Sequence, residues 1–170
     1  MNTIAIAIDR LESVLDRRAD FGHSTNQSVT TLADGLRCST EEGSWTIDSD
    51  LGESLGGTGS APSPGVLVRA ALGSCLAMMY QLRAAKHGVE LTSIRVLVET
   101  DSEIAGMLLR ETPSPPGYSE IRYHVDVESP APRAEVLRVI DEGDRLSPLL
   151  DVFGRTNSVR RTTSIRPARS

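Results

Sequence analysis

Lysine is almost absent from this chain of 170 residues: Lys86 stands alone beside seventeen arginines, a bias that points to a GC-rich bacterial genome and says nothing of function. Cysteine is scarce too. Cys38 and Cys75 are too few for the disulfide framework of a small secreted domain. Aromatic residues make up 4%, none is interleaved with a basic cluster, and the net charge is −5, which argues against general nucleic-acid binding. The one basic stretch, Arg155 to Arg169, reads either as an anion patch or as a solvated strand end. No signal peptide is seen: the apolar run Ile4 to Ile8 meets Asp9, Arg10 and Glu12 at once, which places the protein in the cytoplasm. No apolar run reaches the ~20 residues of a membrane span. The glycines of Gly56-Gly57-Thr58-Gly59 lack both a following Gly-Lys-Ser/Thr and the dinucleotide-binding spacing, so they read as a loop running close over the backbone of another element. His124 has no partner at metal-ligand spacing. Neither a cofactor nor a metal is expected. The length suits one domain, or two copies of one domain sharing a core.

What is present centres on residues 63–88. Ser63 is a good N-cap, Pro64 fits the first helical position, and Lys86, His87 and Gly88 suit a helix end. Between these marks Val66, Leu67, Ala70, Ala71, Leu72, Leu76, Met78, Met79 and Leu82 leave little polar face, the pattern of a buried helix. Arg69, Arg83 and Lys86 interrupt it as a membrane segment. Ala70, Ala71, Gly73, Ser74 and Ala77 allow another element to approach closely, and among them sits Cys75, the candidate for chemistry. A small hydrophobic residue of the core is the plainer account of such a cysteine.

The rest reads as α+β. An amphipathic helix over 4–18 carries Ile4, Ile8, Leu11 and Leu15 on one side, and a polar linker with His23 follows. Strands are expected at Val29–Cys38 and Ser44–Asp48, turning at Glu41-Glu42-Gly43, then at Leu91–Asp101 and Tyr118–Glu128, with Met107–Leu109 as an extended edge. A helix over Pro130–Asp144 should bury Ala134, Val136, Leu137 and Ile140 and turn Glu142 outward. A short helix starts at Ser147-Pro148, and a last strand is expected from Ser158 to Arg166. Helix, hairpin, long helix, hairpin, helix pair and strand do not alternate as βαβ units, which disfavours Rossmann and P-loop architectures.

Several stretches in succession resemble the OsmC/Ohr family of bacterial stress proteins: Asp50…Gly56-Gly57…Ala61-Pro62-Ser63-Pro64, Ala70 to Ala77, Ala84-Ala85-Lys86-His87-Gly88-Val89, and Arg145-Leu146-Ser147-Pro148-Leu149. The resemblance covers roughly residues 28 to 166. It implies an OsmC-like domain over 28–170 with residues 1–27 as an added N-terminal helix and linker. It also implies an intertwined homodimer, with long central helices wrapped by antiparallel sheets and active sites at the dimer interface. The family activity it implies is thiol-dependent reduction of hydroperoxides. Cys75 matches the attacking cysteine, which becomes a sulfenic acid. A second cysteine then closes a disulfide that a dithiol reductant, often a lipoylated protein, reopens.

The chain departs from that pattern in three places. Ser147 matches the resolving cysteine, and a serine forms no disulfide. Gly65 stands near the position of a Glu that orients an activating arginine. Arg37 is the nearest candidate for that arginine, and a surface strand position explains it equally well. An unperturbed thiol is only a few per cent ionised at neutral pH, so a cysteine about three turns inside its helix needs a cation nearby. Three readings follow. One is a peroxidase using Cys75, with a small thiol or Cys38 for resolution. Another is a dimer that has lost this chemistry and holds an apolar or acyl ligand near Met78, Met79 and Tyr80. The third is a structural dimer whose N-terminal helix docks a partner.

Overall fold

The computed structural model describes residues 2–165. Helix α1 (Thr3–Arg17) starts where the Asn2 side chain accepts the Ile4 N–H at 2.9 Å, satisfying one of the free amides of a helix start. It lies along the last turns of α2, where Glu12 pairs with Lys86 and Ile4, Ile8 and Leu11 meet Leu82 around a shallow apolar groove.

Three short strands follow where two were expected: β1 (Val29–Leu32), β2 (Cys38–Glu42) and β3 (Trp45–Ser49), antiparallel in the order β1-β2-β3. The stretch read as one strand breaks at a turn closed by the Ala33 N–H on the Arg37 carbonyl at 2.8 Å, so Cys38 opens β2 opposite Leu32 and Ser49. The Asp34-Gly35 pair, a strong turn former, outweighs the loose alternation around it. These strands form an arm: they pack on one another and on no other element to any extent.

Asp50 ties the arm to the rest. Its carboxylate is buried and accepts from the Leu51 N–H, from the Thr58 and Ser60 N–H groups and from both of their hydroxyls, at 2.7–3.1 Å. A β-carbon on Gly57 would lie 2.0 Å from the Leu51 carbonyl oxygen, so the expected close approach is there, made within the loop itself.

Helix α2 (Pro64–His87) ends at Gly88 as its flanking residues foretell. Its length and a mean hydropathy of 1.4 would suit a membrane span. Instead Leu72, Leu76, Tyr80 and Ala84 form a buried stripe against β4 (Ser93–Ser102), β5 (Tyr118–Glu128) and α4 (Arg133–Arg145), as in a core helix. Burial is one-sided, contrary to the expectation from its all-round apolar surface: Val66 and Met78 are exposed, because nothing among the described residues covers them.

Strands β4 and β5 pair antiparallel, with Ile94 opposite Val127 and Val96 opposite Val125. Between them the expected extended edge is a short helix, α3 (Ile104–Leu108). Helix α4 buries Val139 and Gly143 and half-buries Val136 and Ile140; Ala134 and Leu137, expected inside, are exposed. Glu142, expected outward, faces α2, where His87 Nε2 lies 2.6 Å and Arg83 3.5 Å from its carboxylate. After α5 (Pro148–Gly154) the expected last strand is missing: residues 155–165 are irregular, and Arg166 lies outside the described residues. Val159 and Ile165 are 91% exposed.

Candidate functional site

The site is the contact between the middle of α2 and the start of α5. Cys75 is half-buried, one residue before the fully buried Leu76. Leu146 and Ser147 are the two residues separating α4 from α5, and Pro148 occupies the first helical position behind Ser147. The Ser147 oxygen caps α5 by accepting the Leu150 N–H at 3.3 Å and lies 3.6 Å from Cys75 Sγ. A hydroxyl has one proton to give. With the oxygen accepting from Leu150, that proton is free to point at the sulfur. Ser147 is 2% exposed, so water does not compete for it.

Arg37 lies in the β1–β2 turn and is paired with Asp48 at 2.7 Å, both side chains largely open to solvent. The bond raises the pKa of the guanidinium and lowers that of the carboxyl. Among the described residues no hydrogen bond or ion pair joins Arg37 to α2, and none brings a cation to Cys75. Gly65 sits in the first turn of α2, where a β-carbon would lie 3.2 Å from Tyr118 Oη and 3.6 Å from Arg69 Nη1; Arg69 itself donates to Thr100. Cys38 and Cys75 are both free thiols.

The pocket residues suggested by the sequence divide. Met78 is exposed, Met79 half-buried, and Tyr80 fully buried with its hydroxyl on Asp144 at 2.6 Å. A cavity lies elsewhere, between β5 and α5, and includes neither Cys75 nor Ser147 in its lining. It measures about 350 Å³ and is lined chiefly by Leu72, Tyr118, Ile121, Tyr123, Leu150 and Phe153. Leu72 is three residues before Cys75, and Leu150 supplies the N–H that holds Ser147. A larger depression of about 600 Å³ runs along α4 alone and touches neither α2 nor α5. Sequence reasoning missed Asp144 and Tyr123, whose carboxylate and hydroxyl meet at 3.0 Å. The one available signal was the alternation that puts Tyr123 on the same face of its strand as Ile121, Val125 and Val127.

The sequence model of the family described as OsmC-like protein matches residues 57–161, more than half of the chain. This chain belongs to the OsmC-like family. Solved structures agree on the fold. An OsmC-like protein from Mycoplasma pneumoniae superposes with a TM-score of 0.65 at 15% identity, covering 77% of this chain and 88% of that one. An organic hydroperoxide resistance protein OsmC from Legionella pneumophila gives 0.55 at 14%, covering 76% and 89%. A putative organic hydroperoxide resistance protein from Vibrio cholerae, with captopril in one of its active sites, gives 0.53 at 15%, covering 79% and 89%. No curated protein matches in sequence. The OsmC-like family thus accounts for the α+β architecture of helices and antiparallel sheets seen here.

Proposed function

We propose that this OsmC-like protein is a thiol-dependent reductase of organic hydroperoxides, serving oxidative-stress defence through Cys75. The observation that carries the reading is the 3.6 Å contact between Cys75 on the central helix and Ser147 at the start of α5. The descriptions of the Legionella and Vibrio structures as organic hydroperoxide resistance proteins support it. The Cys75 thiolate attacks the outer peroxide oxygen. The O–O bond breaks, the alkoxide leaves and takes a proton as alcohol, and the sulfur becomes a sulfenic acid. Ser147 has no sulfur to displace the hydroxyl. An external thiol therefore condenses with the sulfenic acid, releasing water and forming a mixed disulfide, and a second thiol reopens it. The apolar cavity beside Leu72 and Leu150 receives the organic part of the substrate.

The working unit in this reading is a homodimer. The exposed Val66 and Met78 side of α2 faces its twin, and the arm lies on the partner. Arg37 then serves the partner's site and not its own.

A second reading has its own support, the lack of a cation at Cys75 among the described residues. In it the dimer binds an apolar or acyl ligand in the same cavity and does no redox chemistry.

Oxidation of the protein by cumene hydroperoxide, followed by intact mass, separates the two. Rapid gain of one oxygen, lost in Cys75→Ser, kept in Cys38→Ser and slowed in Arg37→Gln, is the expected result. Oxidation no faster than that of a free thiol in solution would leave only the ligand-binding reading.

A further inference from the structure

We infer that Asp144, with Tyr80 and Tyr123, is a positioning group that holds Ser147 against Cys75. The consequence for peroxide chemistry rests on the function proposed above; the geometric claim does not.

Helix α4 ends at Arg145 and α5 starts at Pro148, so the chain turns a corner in two residues, Leu146 and Ser147. The Ser147 N–H donates to the Asp144 carbonyl at 3.2 Å. Whatever fixes Asp144 therefore fixes Ser147. The Asp144 carboxylate is fixed from two sides. Oδ1 accepts from Tyr80 Oη of α2 at 2.6 Å, and Oδ2 accepts from Tyr123 Oη of β5 at 3.0 Å. The corner is thus tied to the helix that carries Cys75 and to the strand that lines the cavity.

Burial, followed by the carboxylate's pull on the proton, raises both phenols above the ordinary tyrosine range, Tyr123 to about 12. Both hydroxyls stay protonated and both donate at any physiological pH.

Gly143 completes the fit. A β-carbon there would lie 2.5 Å from Tyr80 Cδ1, so the ring rests directly on the backbone of α4. Any side chain at Gly143 pushes the corner away from α2.

Satisfying a buried phenol explains only half of this arrangement. Tyr80 is fully buried and needs an acceptor. Tyr123 is 36% exposed and could give its proton to water. Its bond to the second carboxylate oxygen is not demanded by burial, yet it fixes the carboxylate in rotation as well as in position. That is what holding a side chain three residues away requires. In the proposed reaction, a corner held in this way keeps the Ser147 hydroxyl on the sulfur as it gains oxygen. The sulfenic acid then waits for its thiol, hydrogen-bonded and shielded from further oxidation.

Disulfide trapping tests the geometry without any peroxide. In a full-length chain carrying Cys38→Ser and Ser147→Cys, the introduced thiol lies within reach of Cys75, and diamide oxidises the pair by taking up two electrons and two protons. Adding Tyr123→Phe should slow trapping roughly threefold, the loss expected from one hydrogen bond, and Asp144→Asn about tenfold, because the neutral amide leaves one acceptor oxygen for two phenol donors. A Val127→Ala control lowers the melting temperature without touching the clamp and should leave the trapping rate unchanged. Tyr123→Phe keeps the Tyr80 bond and the fold, so it decides the matter where Asp144→Asn fails to fold. Equal trapping rates with and without Tyr123→Phe, or no trapping at all in the parent variant, would overturn the inference. Failure of the peroxidase reading shows up elsewhere, as slow oxidation of the unaltered protein by cumene hydroperoxide with trapping intact.

Discussion

The arm of β1 to β3 and the body behind α2 are both built on antiparallel strands and end in opposite states. In the body, Ile94, Val96 and Val98 on β4 and Ile121 and Val125 on β5 close over Leu72, Leu76 and Tyr80. In the arm, Val29, Leu32, Trp45 and Ile47 all stand in the open, Trp45 at 76% exposure. Alternation announces that a strand has a face to cover. It does not say which molecule does the covering. Burying large apolar side chains is the main favourable term in folding, so the two regions differ in what they contribute to a lone chain.

The strongest way to sharpen that contrast is to cut one side chain from each region. Leu76→Ala should cost about 2–5 kcal/mol in urea unfolding, through lost transfer energy and the cavity left behind. Ile47→Ala should cost less than about 0.5 kcal/mol in a monomer, as surface changes do. A loss at Ile47 that matches Leu76 breaks the contrast, because it means the arm is covered in solution.

Next in size is the effect on self-association. Trp45→Asp should weaken dimerisation by roughly tenfold to a hundredfold in sedimentation, the equivalent of one large side chain losing its cover. An unchanged dissociation constant would detach the arm from the proposed interface.

The smallest expected effect lies at the hinge between the regions. Five donors, led by the Thr58 hydroxyl, hold the Asp50 carboxyl far below the usual carboxylate range. The fold therefore favours the ionised form. The stabilisation is complete above the unfolded pKa near 4 and is lost as pH falls from there toward the folded value. The gap in urea midpoint between the unaltered protein and Asp50→Asn should be constant from about pH 7 to pH 5 and narrow below about pH 4. A gap that does not depend on pH would show that the loop is held by shape and not by charge.

The ends of α2 were legible because Ser63-Pro64 and Gly88 are local devices that act wherever they occur. Strand β5 was legible because Ile121, Tyr123, Val125 and Val127 alternate with polar or charged residues along most of its length. The break between β1 and β2 was hidden inside a looser alternation. The strand expected after α5 is missing because a pattern makes a strand only where a partner strand takes up its hydrogen bonds, and none does so among the described residues. Family resemblance brought Cys75 and Ser147 into view together. Asp144 escaped because a carboxylate near a helix end, among Asp141, Glu142 and Arg145, looks like solvated surface. The tyrosines that give it meaning lie 64 and 21 residues away along the chain.

The two sheets have a bearing on how the protein is made. Both are small, and in each the outermost strands carry amide and carbonyl groups that no neighbouring strand takes up among the described residues. Such margins are templates on which stray strands of any kind can add. A newly released copy is therefore most vulnerable to aggregation before its margins are shielded.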